Sequence, residues 1–254
     1  MEHLLQATAR AEARHFWFRG FRAFVIPLVR QAVSGRADVQ ILDCGCGTGA
    51  NLDWLQRFGR ATGFDLSETG LQLGRAAGRS RLVRASVSAA PFRDGSFDLV
   101  TSFDVLYSLP DADERTALVE MYRLLRPGGY ALINVAAMES LRGDHSVLSR
   151  EIRRYNRDLL RSRVMHAGFD IERITYAFAS LYPAMRLARA WQQHRGLRRE
   201  DESAAHLEIT VPAAPVNAMM TAVVQLEAAW LRRINMPIGS SLICLARRPL
   251  EPRT

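Results

Sequence analysis

The sequence contains no lysine, and all 34 basic residues of the 254-residue chain are arginine. With 26 acidic residues, the net charge is +8 at pH 7. The complete absence of lysine is typical of a genome-wide codon bias. The positive charge alone therefore does not indicate a nucleic-acid partner. The hydrophobic content of 48% excludes a disordered protein and is sufficient for a large core.

Cysteine and long apolar runs are also scarce. Cys44, Cys46 and Cys244 are too few for a disulfide framework, and the first two have no histidine at zinc spacing. A reducing, cytoplasmic setting is therefore expected. The N-terminus lacks the apolar core of a signal peptide, and no stretch of roughly 20 residues is free of charge and proline, so no transmembrane helix is predicted.

Short apolar runs alternate with helical segments through most of the chain. This order predicts an α/β fold, a doubly wound, Rossmann-like parallel sheet covered by helices on both faces. Residues 2–33 form a helical segment before the first strand, and about 60 residues with two helical stretches separate the last two strands. The predicted strands are 39–42, 61–64, 81–85, 97–103, 130–135, 169–176 and 241–246.

A glycine loop, Gly45–Gly49, follows the first strand. Glycine permits positive φ angles and lets a ligand touch the backbone. Gly45, Gly47 and Ala50, with Asp65 twenty residues after Gly45, also fit the dinucleotide-binding fingerprint. The loop alone therefore leaves two ligand classes open.

Asp43, two residues before the loop, favours one of them. A carboxylate there would repel a pyrophosphate by about 1–4 kcal/mol at ~4 Å. S-adenosylmethionine (SAM) has no phosphate, and its sulfonium and ammonium groups are cations. An acidic loop therefore favours SAM over NAD or FAD.

Four motifs in order resemble those of the class I SAM-dependent methyltransferases, over about residues 38–136. The resemblance implies a seven-stranded sheet with the last strand antiparallel, and SAM bound across the carboxyl ends of strands one to three. The motifs are Asp43-x-Gly45-x-Gly47-x-Gly49, Gly63-Phe64-Asp65-Leu66-Ser67, Ala90-Pro91-Phe92-x-x-Gly95-Ser96-Phe97-Asp98-Leu99-Val100 and Leu124-Leu125-Arg126-Pro127-Gly128-Gly129.

The resemblance also implies cofactor-binding residues. Asp65 takes the ribose hydroxyls, and Phe103 lies near the methyl group. Many relatives carry aspartate where this chain has Ser86, so its contact with the adenine amine is expected to be weaker. The implied set is Asp43, Gly45, Gly47, Gly49, Asp65, Leu66, Ser86, Val87 and Phe103.

The N-terminal Glu12-x-x-His15-Phe16-Trp17-Phe18-Arg19-Gly20 resembles a lid of some of these enzymes. There an aromatic ring covers the cofactor and an arginine approaches its carboxylate, which implies Trp17 and Arg19. An aromatic stripe that packs a helix onto the sheet is the alternative. We expect one domain over residues 1–254, with an N-terminal lid segment at 1–35 and a helical insert at 178–238.

Methyl transfer is a direct displacement that needs alignment and, for a protic acceptor, a proton acceptor. His145 is the first candidate, because its pKa suits neutral pH. Tyr107 and Asp104 are second choices, and each of the three could be structural. Arg150, Arg154, Arg157 and Arg161, spaced by 4, 3 and 4 residues, are predicted on one helix face, where they either bind an anionic substrate group or face solvent.

The predicted function is methyl transfer from SAM, with S-adenosylhomocysteine as the product. The expected acceptor is a small or lipid-like molecule, with an anionic group allowed and oxygen slightly favoured over carbon or nitrogen. The alternatives are an RNA-modifying methyltransferase and a non-catalytic partner protein with this fold. No nucleic-acid partner or metal is expected, peripheral membrane contact stays open, and the chain is expected to be a monomer or homodimer.

Overall fold

The computed structural model describes residues 2–197 and 209–251, and within them one seven-stranded sheet in the order β3-β2-β1-β4-β5-β7-β6. β7 runs antiparallel to both β5 and β6, whereas β1 to β5 pair in parallel. The predicted fold, including the antiparallel last strand, is confirmed. The strands are β1 Gln40–Cys44, β2 Arg60–Asp65, β3 Leu82–Arg84, β4 Phe97–Phe103, β5 Leu125–Ala136, β6 Asp170–Ala177 and β7 Ser241–Arg247.

Helices cover both faces of the sheet, as its apolar strands require. One face packs against α5 and α7, and the other against α2 and α9. Every residue of β4, in the middle of the sheet, is buried. The helices are α1 Glu2–Ala11, α2 Phe16–Val33, α3 Leu52–Leu55, α4 Glu68–Ala76, α5 Asp111–Leu124, α6 Asp144–Leu148, α7 Arg157–His166, α8 Tyr182–Arg195 and α9 Ala214–Leu231, with 3₁₀ turns at Leu106–Ser108 and Glu139–Leu141.

The N-terminal lid segment consists of two helices with a break at residues 12–15. His15 begins the second helix, because its Nδ1 accepts a hydrogen bond from the backbone N–H of Trp17 at 3.1 Å. Pro27 lies inside α2 without ending it. Two helices, α8 and α9, lie within the predicted insert, and its residues 198–208 fall outside the described part of the chain.

The arginine stripe predicted from spacing is wrong. α7 begins only at Arg157, so Arg150 and Arg154 do not share its face. Arg154 is buried instead, pairs with Glu151 at 2.8 Å and donates to the carbonyl of Ala137 at 2.8 Å. The backbone before α7 is held by a bridge between residues 137 and 155, so spacing alone could not place these side chains.

The two residues on either side of Arg154 anchor this segment to α5. Arg153 pairs with Glu114 at 3.1 Å and with Asp111 at 2.7 Å. The hydroxyl of Tyr155 donates to Glu114 Oε1 at 2.8 Å. Because both Glu114 and Tyr155 are fully buried, this network fixes the loop after β5 against the sheet.

Within residues 2–197 and 209–251, no helix has the length and apolar character needed to cross a membrane. The same residues contain no cluster of histidine, cysteine and acidic side chains that could hold a metal ion. Cys44, Cys46 and Cys244 are buried free thiols.

Candidate active site

The glycine loop lies at the carboxyl edge of the sheet, directly after β1. Gly45, Gly47 and Gly49 have φ angles of 76°, 56° and 75°, which other residues rarely adopt. A Cβ on Gly45 would lie 2.3 Å from Cγ2 of Val105. The loop is therefore pressed against the segment that follows β4, while Gly45 and Gly47 keep partial exposure to solvent.

Asp43 lies behind this loop, not open to it. Only 1% of the residue is exposed, and its Oδ1 accepts a hydrogen bond from the Thr101 hydroxyl at 2.6 Å. Asn51 Nδ2 donates to the other oxygen at 3.4 Å. Burial raises the pKa of Asp43 to about 6. The sequence argument required a carboxylate that faces the ligand directly. Because Asp43 is buried instead, charge repulsion at residue 43 does not by itself discriminate between SAM and a dinucleotide.

Asp65 ends β2 beside the loop. Its Oδ2 accepts from the backbone N–H of Gly47 and its Oδ1 from that of Ser67, both at 2.7 Å. A carboxylate has about four acceptor positions, so two remain for hydroxyl groups. The next side chain, Leu66, is 64% exposed and offers an apolar surface beside this acid.

The remaining predicted cofactor residues line the same edge. Ser86 and Val87 are half-buried, and the Ser86 hydroxyl lies 2.9 Å from that of Ser88. Phe103 is buried, and its ring packs edge-on against Phe21 with 4.9 Å between centroids. The binding roles of these residues stay predictions.

The N-terminal lid segment lies on the glycine loop. A Cβ on Gly47 would be 3.5 Å from Cδ2 of Leu5. Glu12 accepts a hydrogen bond from the Thr48 hydroxyl at 3.1 Å and pairs with Arg79 at 3.4 Å. Glu12 begins the lid motif, and the sequence predicted no role for it. In the structure its carboxylate joins the lid segment to the glycine loop.

Trp17 and Arg19 have different surroundings. The Trp17 ring stacks on Phe178 with 3.8 Å between centroids and 1° between planes. This contact supports the alternative in which the aromatic cluster packs α2 onto the end of β6. Arg19 is exposed. Contact of either residue with a cofactor stays a prediction.

Asp104 follows β4 with a φ of 60°, a strained conformation for a residue with a side chain. Asn134 Nδ2 donates to Asp104 Oδ1 at 2.9 Å, and the N–H of Asp104 donates to the Asn134 carbonyl at 3.0 Å. Asp104 is exposed to solvent. Desolvation by the surrounding protein and the charge of Glu151 raise the pKa of its carboxyl group to about 7.

The other two catalytic candidates, Tyr107 and His145, also lie near Glu151. Tyr107 is buried, and burial raises the pKa of its phenol far above the ordinary value. His145 is half-buried in α6. Burial tends to raise the pKa of Glu151, but Arg154 and, more weakly, His145 outweigh it and lower that pKa. Glu151 thus interacts electrostatically with all three candidates.

Sequence reasoning missed Glu151 and Asn134. Neither belongs to a motif, and Glu151 had one available signal, its position three residues before Arg154. Asn134 Oδ1 is buried without a hydrogen-bond partner among the described residues. The strain at Asp104 and the double contact with Asn134 depend on the pairing of β4 with β5, which only the fold supplies.

Comparison with known proteins agrees with this geometry. Residues 42–133 match the family model of a methyltransferase domain. Demethylmenaquinone methyltransferase of Staphylococcus aureus is 38% identical over 105 residues, which cover 37% of this chain and 42% of that protein. The chain thus matches less than half the length of such curated relatives.

Solved structures extend the likeness of fold to nearly the whole chain. A methyltransferase of Haloferax volcanii, in complex with the Trm112 methyltransferase activator, has a TM-score of 0.60 at 19% identity, over 98% of this chain and 96% of that one. A SAM-dependent methyltransferase of Thermotoga maritima, described as a possible histamine N-methyltransferase, has a TM-score of 0.58 at 17% identity, over 98% and 100%. Residues 42–133 thus match a methyltransferase domain, and the sheet order with the antiparallel β7 belongs to a fold that the chain shares with these solved structures.

Proposed function

We propose that this protein transfers a methyl group from SAM to a small acceptor bound at the carboxyl edge of β4 and β5. The observation that carries the proposal is the contact between Val105 and Gly45. It sets the exposed Asp104, the residue before Val105, close to the glycine loop. A cofactor-binding turn and an accessible acid are therefore neighbours.

The residues at this edge suit SAM. The positive φ angles of the loop allow close contact with the methionine part, and Asp65 keeps two acceptor positions for the ribose hydroxyls. The exposed face of Leu66 suits the adenine ring. When bound, SAM supplies an electrophilic methyl group on a positively charged sulfur.

Among the three catalytic candidates, Asp104 fits the role of proton acceptor best. It is accessible, Asn134 fixes one of its oxygens, and a pKa of about 7 suits proton transfer near neutral pH. The phenol of Tyr107 stays neutral and buried, which leaves it a structural role. His145, near Glu151, is kept as the second candidate.

The acceptor is a small or lipid-like molecule with a protic group, and oxygen is favoured slightly because a proton must leave. The relatives' name, demethylmenaquinone methyltransferase, makes a hydroxylated naphthalene ring a reasonable first probe. The matched residues 42–133 contain the cofactor side of the fold. Acceptor specificity is therefore expected to depend on the lid segment and the helical insert, which lie outside that match.

An RNA substrate has less support. Of the arginines predicted as a stripe, Arg154 pairs with Glu151 and Arg157 donates to the carbonyl of Met236, so neither side chain is held ready for a phosphate. A non-catalytic role is disfavoured by the intact glycine loop and by Asp65.

The test uses methyl-tritiated SAM with 1,4-naphthohydroquinone, simple phenols, fatty acids and bulk transfer RNA. The proposal predicts label in a small-molecule product with the wild-type protein and none with Asp65→Ala. Glu68→Ala, an exposed acid on the neighbouring helix, is the matched control and should keep activity. Label only in RNA, or none with any acceptor including a cell extract, would contradict the proposal.

A further inference from the structure

α9 carries an apolar stripe on its solvent side. Val216, Met219, Val223, Leu226 and Trp230 are 44%, 61%, 39%, 68% and 67% exposed. Their spacing of 3, 4, 3 and 4 residues places them along one face of the helix, as at the seam of two paired helices. We call these five residues the apolar stripe.

The stripe cannot turn inward, because the opposite face of α9 is already fixed. Thr221, Val224 and Ala228 are buried on that side. Glu227 accepts hydrogen bonds from the backbone N–H groups of Ala179 and Ser180, both at 2.8 Å. The stripe is thus a permanent feature of the surface.

The exposed side of α9 has no charged residue between Ala214 and Leu231. Gln225 is its one exposed polar side chain within the helix, and the small residues Ala218, Ala222 and Ala229 lie alongside the stripe. Small side chains let a second helix approach closely, to an interaxial distance of about 8–10 Å. A partner that packs on this side would therefore not have to remove water from any charged side chain of α9.

The size of the stripe also suits a protein partner. Five large side chains with these exposures present on the order of 500 Å² of apolar surface, at the upper end for the largest patch of a monomer. A standard interface buries about 800 Å² per partner. The stripe with its flanking alanines therefore approaches one side of such an interface.

We propose that a second copy of this chain covers the apolar stripe, with α9 packed against α9 about a two-fold axis. A self-complementary apolar seam satisfies such symmetry, since the same patch serves both copies. An anionic membrane is the weaker alternative, because interfacial helices have a basic polar face. Here that face is buried in protein, and Arg232 and Arg233 follow only after the helix ends.

This interface would brace the N-terminal lid segment. Asn217, between two stripe residues, accepts a hydrogen bond from the N–H of Phe16 at 2.8 Å, and its Nδ2 donates to the carbonyl of Arg14 at 2.9 Å. α9 thus holds the start of α2, next to the lid contact at Glu12. The coupling of dimerisation to SAM affinity rests on the proposed function, whereas the dimer itself does not.

Sedimentation equilibrium of the full chain over a concentration series tests the dimer. We expect a wild-type dimer, a monomer for Leu226→Glu, and a dimer for Leu187→Glu, which changes a leucine that is 75% exposed on α8. An unchanged circular dichroism spectrum with a cooperative melt establishes that Leu226→Glu is folded, although loss of the partner should lower its melting temperature. Met219→Ser is the milder second variant. A monomeric wild type at every concentration, or a Leu226→Glu dimer, would overturn the proposal.

Two further measurements separate the alternatives. Flotation with vesicles of phosphatidylcholine and phosphatidylglycerol should leave the wild type unbound, and stripe-dependent binding by a monomer would assign the surface to lipid instead. Calorimetry should show at least threefold weaker SAM binding by Leu226→Glu than by Leu187→Glu. A wild-type dimer that binds no SAM would refute the proposed function and leave the interface standing.

Discussion

At the scale of single residues, three acids at one edge of the sheet have different surroundings. Asp43 is buried behind the glycine loop, Asp65 accepts from the backbone N–H groups of Gly47 in that loop and of Ser67, and Asp104 is exposed after β4. The same side-chain chemistry can therefore serve three purposes. Each purpose gives a separate prediction.

Asp65→Ala should abolish SAM binding measured by calorimetry. The change removes both the acceptors for the ribose and the hydrogen bonds to Gly47 and Ser67. Asp65→Asn keeps one acceptor oxygen and should weaken binding less. Full SAM affinity in Asp65→Ala would show that this acid is not a cofactor ligand.

Asp43→Asn should stabilise the fold at pH 7. Burial raises the pKa of Asp43 from 3.8 to about 6, so the folded state holds the proton more strongly than the unfolded chain. Stability from this group is complete below about pH 4 and is lost as the pH rises toward 6, by ~3 kcal/mol. The amide avoids that loss and can still accept from Thr101.

Urea unfolding at several pH values measures this effect. The free energy of unfolding of Asp43→Asn should exceed that of the wild type by about 1–3 kcal/mol at pH 7 and converge with it near pH 4. A less stable variant at pH 7 would mean that the hydrogen bonds of the carboxylate outweigh its desolvation.

Asp104→Asn should remove turnover and leave SAM affinity within about twofold, because it removes the proton acceptor but not the loop. The wild-type kcat/KM should rise with pH through about 7, as the carboxyl group loses its proton. Asn134→Ala should shift this limb of the profile, whereas a purely structural role would leave the profile in place. Unchanged turnover in Asp104→Asn would return His145 to first place.

At the scale of elements, the contact of α2 with α9 depends on Gly20. A Cβ there would lie 2.3 Å from Cγ1 of Val224 and 3.3 Å from Cε1 of Phe178. Alanine would add about 1 kcal/mol of helix propensity, but forcing a methyl group into a packed contact costs about 1–3 kcal/mol. We expect the cost of the clash with the stiff, β-branched side chain of Val224 to exceed the gain in helix propensity.

Gly20→Ala is therefore expected to lower the free energy of unfolding by about 1 kcal/mol in chemical denaturation. Adding Gly20→Ala to a Val224→Ala background should cost less stability than adding it to the wild type, since alanine at residue 224 lacks the clashing methyl groups. A stabilised Gly20→Ala would contradict this packing.

The elements also show what a sequence can predict. β4 was predicted with its observed ends because its apolar run and turn are local. β5 begins at Leu125, five residues before the predicted start, since Pro127-Gly128-Gly129 indicated a turn where the strand already runs. The side chains of Arg153 and Arg154 are placed by acids and carbonyls distant in sequence, which spacing cannot reveal.

At the scale of the whole molecule, the sheet order and the antiparallel β7 define the fold, and four local motifs were sufficient to predict it. The site was predicted less completely. The loop glycines and Asp65 lie together as expected, but the buried position of Asp43 and the pair formed by Asp104 and Asn134 depend on contacts between strands.

The central claim is that the glycine loop and Asp65 bind SAM and not a dinucleotide. Isothermal titration of the full chain with SAM, S-adenosylhomocysteine and NADH tests it most directly. The account predicts saturable binding of both sulfur compounds, loss of both in Asp65→Ala, and no binding of NADH. Binding of NADH that depends on Asp65, without binding of SAM, would contradict it.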